Sequence, residues 1–190
     1  MVSDKQKKQK NPPDESMKFI LKLFNSNKFI EAKYEIEKQK VSYPNSPILY
    51  NMLGAVLAGQ NHLKEAIESY KKALLIKPNY AQAYNNLGTA FQKLNKADEA
   101  IDNYKKAISL KNDFAEAYNN LGGVIYECNR LKDSLDYFKK AIKIKPDFAE
   151  AFNNLGSAHQ ELGNTREALE NFYKAIKIKS GYAEAYNNIG

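Results

Sequence analysis

The sequence predicts an all-α fold, an α-solenoid built from helix-turn-helix repeats, and three observations predict it. The phrase AYNNLG at Ala83–Gly88 returns as AYNNLG at Ala117–Gly122, AFNNLG at Ala151–Gly156 and AYNNIG at Ala185–Gly190, always 34 residues on. Apolar residues within each period fall three and four apart in two separate runs, the spacing of one face of a helix. Between the two runs stands a residue type that tolerates left-handed backbone. A fixed period in this range signals stacked supersecondary units rather than one closed domain.

The chain has 190 residues, 43% hydrophobic and 27% charged, with 9 Gly and 6 Pro, a composition that folds and has a core to bury. Its formal charge is +7, and the opening MVSDKQKKQKNPP sets four lysines against Asp4. Residues 1–12 are therefore expected to be a basic, disordered tail. No secretory-type apolar run and no span of roughly 18 apolar residues occurs, which predicts a soluble, cytoplasmic protein with no membrane association. The single cysteine, Cys128, excludes an internal disulfide and a cysteine-based metal cluster.

Residues 13–46 form the first expected unit. Asn27, Ala32 and Pro44 keep the period there, but Phe19 and Ile20 stand where Leu-Gly is expected, so the unit reads as a degenerate N-terminal cap. Four regular units follow at 47–80, 81–114, 115–148 and 149–182. Counted from Pro47, Ala81, Ala115 and Ala149, place four is Tyr50, Tyr84, Tyr118 and Phe152, and place seven is Leu53, Leu87, Leu121 and Leu155. Place eight is Gly54, Gly88, Gly122 and Gly156; place twenty is Ala66, Ala100, Ser134 and Ala168. Place twenty-four is Tyr70, Tyr104, Phe138 and Phe172, and place twenty-seven is Ala73, Ala107, Ala141 and Ala175. Small places let two helices approach while aromatics fill the space left. The first helix covers about places 1–14 and the second about 17–30. Asn61, Asn95, Asn129 and Gly163 at place fifteen supply the left-handed turn between them. Pro78 and Pro146 at place thirty-two close two of the second helices. Residues 183–190 begin a sixth unit that stops short, so the chain reads as a fragment with an uncapped C-terminal end.

This pattern resembles the tetratricopeptide repeat (TPR) family over residues 47–190, with Asn112 and Ser180 in place of proline and His159 at an apolar place as mild departures. The resemblance implies a right-handed TPR superhelix whose concave wall is lined by the first helices. Places two, five or six, nine, and twelve or thirteen share that side of each first helix, and Glu127 and Glu161 at place thirteen make it acidic at one end. The wall is then expected to bind a protein or an extended peptide through Asn86, Asn120, Asn154 and Asn188 at place six and Asn85, Asn119 and Asn153 at place five. Thr89 and Ser157 at place nine and Gln92 and Gln160 at place twelve complete it. Carboxamides both donate and accept, which suits a peptide backbone irrespective of its sequence. Similar asparagine ladders line the repeat arm of O-linked N-acetylglucosamine transferases. The alternative is that some of these asparagines only bridge adjacent repeats.

Other chemistry finds little support. Glycines are spread one or two per repeat, so no phosphate loop, dinucleotide fingerprint or nucleophile elbow is present. His62 and His159 lie in different repeats. Glu68, Asp102, Asp136 and Glu170 each precede a lysine by four residues, the favourable helix-surface order worth about 0.2–0.5 kcal/mol. No enzyme activity, cofactor or metal is expected of this chain. A clamp for a C-terminal carboxylate needs Lys or Arg where Gln82, Glu116, Glu150, Glu184 and the asparagines stand, so a neutral or basic peptide fits better. The lysines of the second helices read as a solvated face, and nucleic acid is not expected as a partner. Two other readings stay open: the substrate-recognition arm of a larger glycosyltransferase- or sulfotransferase-type enzyme, and a homo-oligomer formed through the uncapped end.

Overall fold

A computed structural model of the chain describes residues 11–189. The tail expected over residues 1–12 thus falls outside the described residues up to residue 10, and so does Gly190. At the tail's end, Pro12 is buried and Asn11 Oδ1 accepts a hydrogen bond from Ser46 Oγ at 2.8 Å, so these two residues are held.

The described residues are helical throughout, without strands, and the chain divides into two compact units at Lys96/Ala97. The first contains α1 (Asp14–Asn25), α2 (Phe29–Ser42), α3 (Pro47–Gly59), α4 (Leu63–Ile76) and α5 (Ala81–Lys93). The second contains α6 (Ala97–Leu110), α7 (Ala115–Glu127), α8 (Leu131–Ile144), α9 (Ala149–Glu161), α10 (Thr165–Ile178) and α11 (Ala183–Ile189). Within each unit, helices pack against their neighbours in sequence, and first helices also touch the next first helix, as α3 does α5 and α7 does α9.

The turns form because asparagine tolerates positive φ. Asn27, Asn61, Asn95 and Asn129 have φ of 56° to 62°, and Gly163 has 77°. At each, the following amide reaches back five residues, as His62 N–H does to the Leu57 carbonyl at 2.8 Å and Arg130 N–H to the Ile125 carbonyl at 3.1 Å. A second bond spans three residues, from Asn61 N–H to the Ala58 carbonyl at 3.1 Å and from Asn129 N–H to the Tyr126 carbonyl at 2.8 Å. This pair of bonds satisfies carbonyls that a helix end leaves unpaired, and it turns the chain sharply.

Place eight is small because the partner helix leaves no room. A Cβ at Gly54 would lie 2.5 Å from the Tyr70 ring, at Gly122 2.7 Å from Phe138, and at Gly156 2.6 Å from Phe172. These rings are themselves buried, among alanines at places twenty and twenty-seven that have no exposed surface or almost none. Ser134, where the pattern has alanine, is equally buried and donates its hydroxyl to the Leu131 carbonyl at 2.7 Å, so the substitution leaves no polar atom unpaired.

Two expectations need correction. Proline does not set the end of the second helices: α10, with Ser180 at place thirty-two, stops at the same place as α4 and α8, and its Lys179 has the same extended backbone as Lys145. Nor do the i, i+4 ion pairs form as expected. Glu68 pairs with Lys71 at 3.1 Å and Glu170 with Arg166 at 3.2 Å. Lys72, Lys140 and Lys174 instead lie 5.0, 5.6 and 5.8 Å above the place-four rings of Tyr50, Tyr118 and Phe152. Lys77, Lys111, Lys145 and Lys179 cover the rings of Tyr80, Phe114, Phe148 and Tyr182 in the same way, at 4.8 to 5.0 Å. Much of the basic character of the second helices is therefore turned onto aromatic faces, where an ammonium is attracted by the ring quadrupole while its head stays wet.

Candidate peptide-binding face

The first helices place two adjacent carboxamides in each repeat, and the structure gives them different surroundings. Those at place five are buried: Asn51, Asn85, Asn119 and Asn153 retain 7%, 6%, 2% and 0% of their surface. Those at place six, Asn86, Asn120, Asn154 and Asn188, are half-buried. One residue of rotation, about 100° on a helix, separates the seam between first helices from the open side.

A repeated hydrogen-bond ladder joins the two rows. Asn86 Nδ2 donates to Asn51 Oδ1, Asn154 Nδ2 to Asn119 Oδ1 and Asn188 Nδ2 to Asn153 Oδ1, each at 3.0 Å. The buried amides donate onward to place two of the next repeat, Asn119 Nδ2 to Glu150 Oε1 at 2.9 Å and Asn153 Nδ2 to Glu184 Oε1 at 3.1 Å. Where Gln82 replaces glutamate, it donates within its own helix to Asn86 Oδ1 at 3.0 Å. The buried carboxamides are thus engaged between repeats, and they hold the half-buried row in one orientation.

The sequence puts the place-two glutamates on this wall, but their partnership with the buried row enters only with the structure. Their signal was present as a constant interval of 31 residues from each place-five asparagine to the next Glu or Gln. Thr89 and Ser157 donate their hydroxyls to the Asn85 and Asn153 carbonyls of their own helices at 3.2 Å, and Ser157 Oγ also accepts from Asn188 Nδ2 at 3.4 Å. Gln92 is half-buried and Gln160 exposed. At Gly123, in place nine of α7, an added Cβ would meet no atom within 4 Å, so the face is open there.

In the second unit, the starts of α9 and α11 enclose a hollow of about 490 Å³ lined by Phe148, Ala149, Glu150, Asn154, Lys179, Tyr182 and Glu184. Burial, then the charges of Glu184 and Glu150, push the Tyr182 hydroxyl up to about 12, and it donates to Glu184 Oε2 at 3.4 Å. The hollow therefore presents a phenol donor, two carboxylates, an ammonium and the Asn154 amide, a mixture suited to binding polar groups. Among the described residues, no cluster of three metal-ligating side chains occurs, and no helix is long and apolar enough to cross a membrane.

Comparison with known proteins agrees with this architecture. The family profile described as TPR repeat matches residues 59–95, 93–127 and 123–163, and that described as Tetratricopeptide repeat matches residues 149–182, together more than half of the chain. No curated protein matches. Among solved structures, one of MamA is 29% identical, covers 86% of this chain and 95% of its own, and superposes with a TM-score of 0.71. YrrB, described as a TPR protein with an unusual peptide-binding site, is 25% identical, with coverage of 90% and 89% and a TM-score of 0.66. A thermophilic TPR protein of Thermus thermophilus, TTC0263, is 16% identical, covers 93% and 96%, and at a TM-score of 0.80 is alike in fold.

Proposed function

Because this chain belongs to the tetratricopeptide repeat family, whose members serve as protein-interaction scaffolds, we propose that it binds an extended peptide along its first helices without catalysing a reaction. The half-buried carboxamides at place six make the contact, and the buried row at place five positions them. The observation that carries this reading is the ladder. Asn86 and Asn154 each donate one N–H to a buried neighbour, which fixes the plane of the amide and leaves a second N–H on the same nitrogen for a peptide carbonyl. Preorganised polar groups on rigid helices lose little side-chain entropy on binding. YrrB, a quarter identical and similar in fold, is described as a TPR protein with an unusual peptide-binding site, which supports peptide binding by this chain without saying on which face.

The carboxylates of Glu150 and Glu184 flank Asn154, so a neutral or basic peptide is preferred over an acidic one. A peptide array probed with the full chain reads this preference directly. Changing Asn86 and Asn154 together to Ala should weaken binding by about fivefold or more, since each lost backbone bond contributes roughly 0.5–1.5 kcal/mol. Gly123→Phe offers a separate block, because a Cβ added there meets no atom within 4 Å. If both variants remain helical by circular dichroism and bind as the parent does, the peptide does not lie on this face.

A further inference from the structure

The first hairpin carries an apolar outer surface that no other hairpin has. At places eighteen and twenty-two, α4 carries Lys64 and Glu68, α6 Asp98 and Asp102, α8 Lys132 and Asp136, and α10 Arg166 and Glu170, all exposed. In α2 the same places are Ile30 and Tyr34, and they remain 76% and 69% exposed. Packing of the array does not require these apolar side chains, because four hairpins stand with charges there. A large exposed apolar patch costs solubility and marks an interaction site.

The patch is also shaped. Phe19 and Leu23 of α1 and Ile30 and Tyr34 of α2 line a groove of about 440 Å³, with Glu31 and Glu35 along one side. Each pair is separated by four residues, so three stripes, two apolar and one acidic, run along the helices. Acid at place nineteen is common to all the second helices, but Glu35 is not: its counterparts are Ser69, Asn103, Tyr137 and Asn171. Lys38 touches Glu35 at 3.6 Å from an exposed position, a surface contact that a competing cation displaces readily.

We propose that the α1–α2 groove is a second docking site, and that its occupant is a helical segment of another protein with an i, i+4 apolar stripe bordered by Lys or Arg. Apolar walls with anchors one helical turn apart accept such a stripe, and the carboxylate edge selects its charge. With the first helices taking an extended peptide, the chain would then join two partners of different chemistry.

The test uses two fluorescent helical peptides of about 14 residues with the same leucine stripe, one with lysines on its polar face and one with glutamates. Anisotropy with the full chain should show binding of the lysine peptide. Ile30→Lys with Tyr34→Glu, which restores the residues of α4 at those places, should stay folded by circular dichroism and bind about tenfold more weakly or less. Glu31→Lys with Glu35→Lys should transfer preference to the glutamate peptide, and Gly123→Phe should leave both affinities unchanged. Equal binding of the two peptides, or parent-like binding by the Ile30/Tyr34 variant, would overturn the proposal. So would a sedimentation series in which the parent self-associates and that variant does not, since the occupant would then be a second copy.

Discussion

A methyl group added at Gly122 and one added at Gly123 should have opposite effects, although the two residues are adjacent in α7. Alanine is favoured over glycine in a helix by about 1 kcal/mol. At Gly123 nothing opposes that gain, so Gly123→Ala should raise stability by about 0.5–1 kcal/mol. At Gly122 the new carbon would lie 2.7 Å from the Phe138 ring, which is buried and has nowhere to move, and overpacking of this kind costs about 1–3 kcal/mol. Gly122→Ala should therefore lower stability, and urea denaturation of both variants at constant m-value reads the sign; a gain at both would mean that the hairpin tolerates wider spacing. His159 offers a pH-dependent case. It sits half-buried at place eleven, where burial and then Lys139 hold its pKa below the usual value, with Glu167 acting the other way. The folded state thus resists protonation that the unfolded chain accepts at about pH 6.5. Its contribution is fully present above that pH and is lost as pH falls through the lower folded pKa. His159→Phe, the residue of place eleven at Phe91, should flatten the fall of Tm between about pH 7.5 and 5.5. Parallel slopes for parent and variant would assign the fall to other groups.

At the scale of helices and turns, what could be read from sequence was whatever one repeat determines within itself. Left-handed Asn61, Asn95 and Asn129, the close approach at Gly54 and Gly156 and the aromatic at place twenty-four all act inside a hairpin, and spacing alone locates them. Helix ends were readable too, although proline was credited with a stop that Lys179 makes equally well before Ser180. The ladder was harder, because its bonds span 35 residues from Asn154 to Asn119 and 31 from Asn119 to Glu150. Two adjacent asparagines differ by about 100° in direction, and which one meets the seam depends on how far successive first helices rotate. A single repeat carries no record of that rotation. The lysine–ring contacts are hidden from the sequence for a similar reason: Lys72 and Glu68 are neighbours on one helix, but the Tyr50 ring that Lys72 covers comes from another helix. In α1 the irregular Phe19–Ile20 pair was visible, but only the packing tells that Ile20 is buried and Phe19 half exposed.

At the scale of the two units, the contacts of each helix run to the next one or two along the chain within its own unit, as α9 touches α7, α8, α10 and α11. Stability in such an array is a sum of local terms and nearest-neighbour terms, so a defect should loosen the hairpin that holds it and fade with distance along the chain. Gly156→Ala supplies a defined defect, since its Cβ would meet the buried Phe172 ring at 2.6 Å. A loss of about 1–3 kcal/mol corresponds to roughly 5- to 150-fold faster amide exchange where opening is local. Hydrogen exchange read by mass spectrometry should show that acceleration in α9 and α10, a smaller one in α7 and α8, and none in α3 and α4. Local opening has a consequence for binding as well. A peptide that spans several repeats through Asn119-anchored amides links hairpins that otherwise open separately, so ligand should slow exchange most in the repeats it bridges. Equal acceleration in α3 and α9 would mean that the array opens as one cooperative body, and the additive account of its stability would fail.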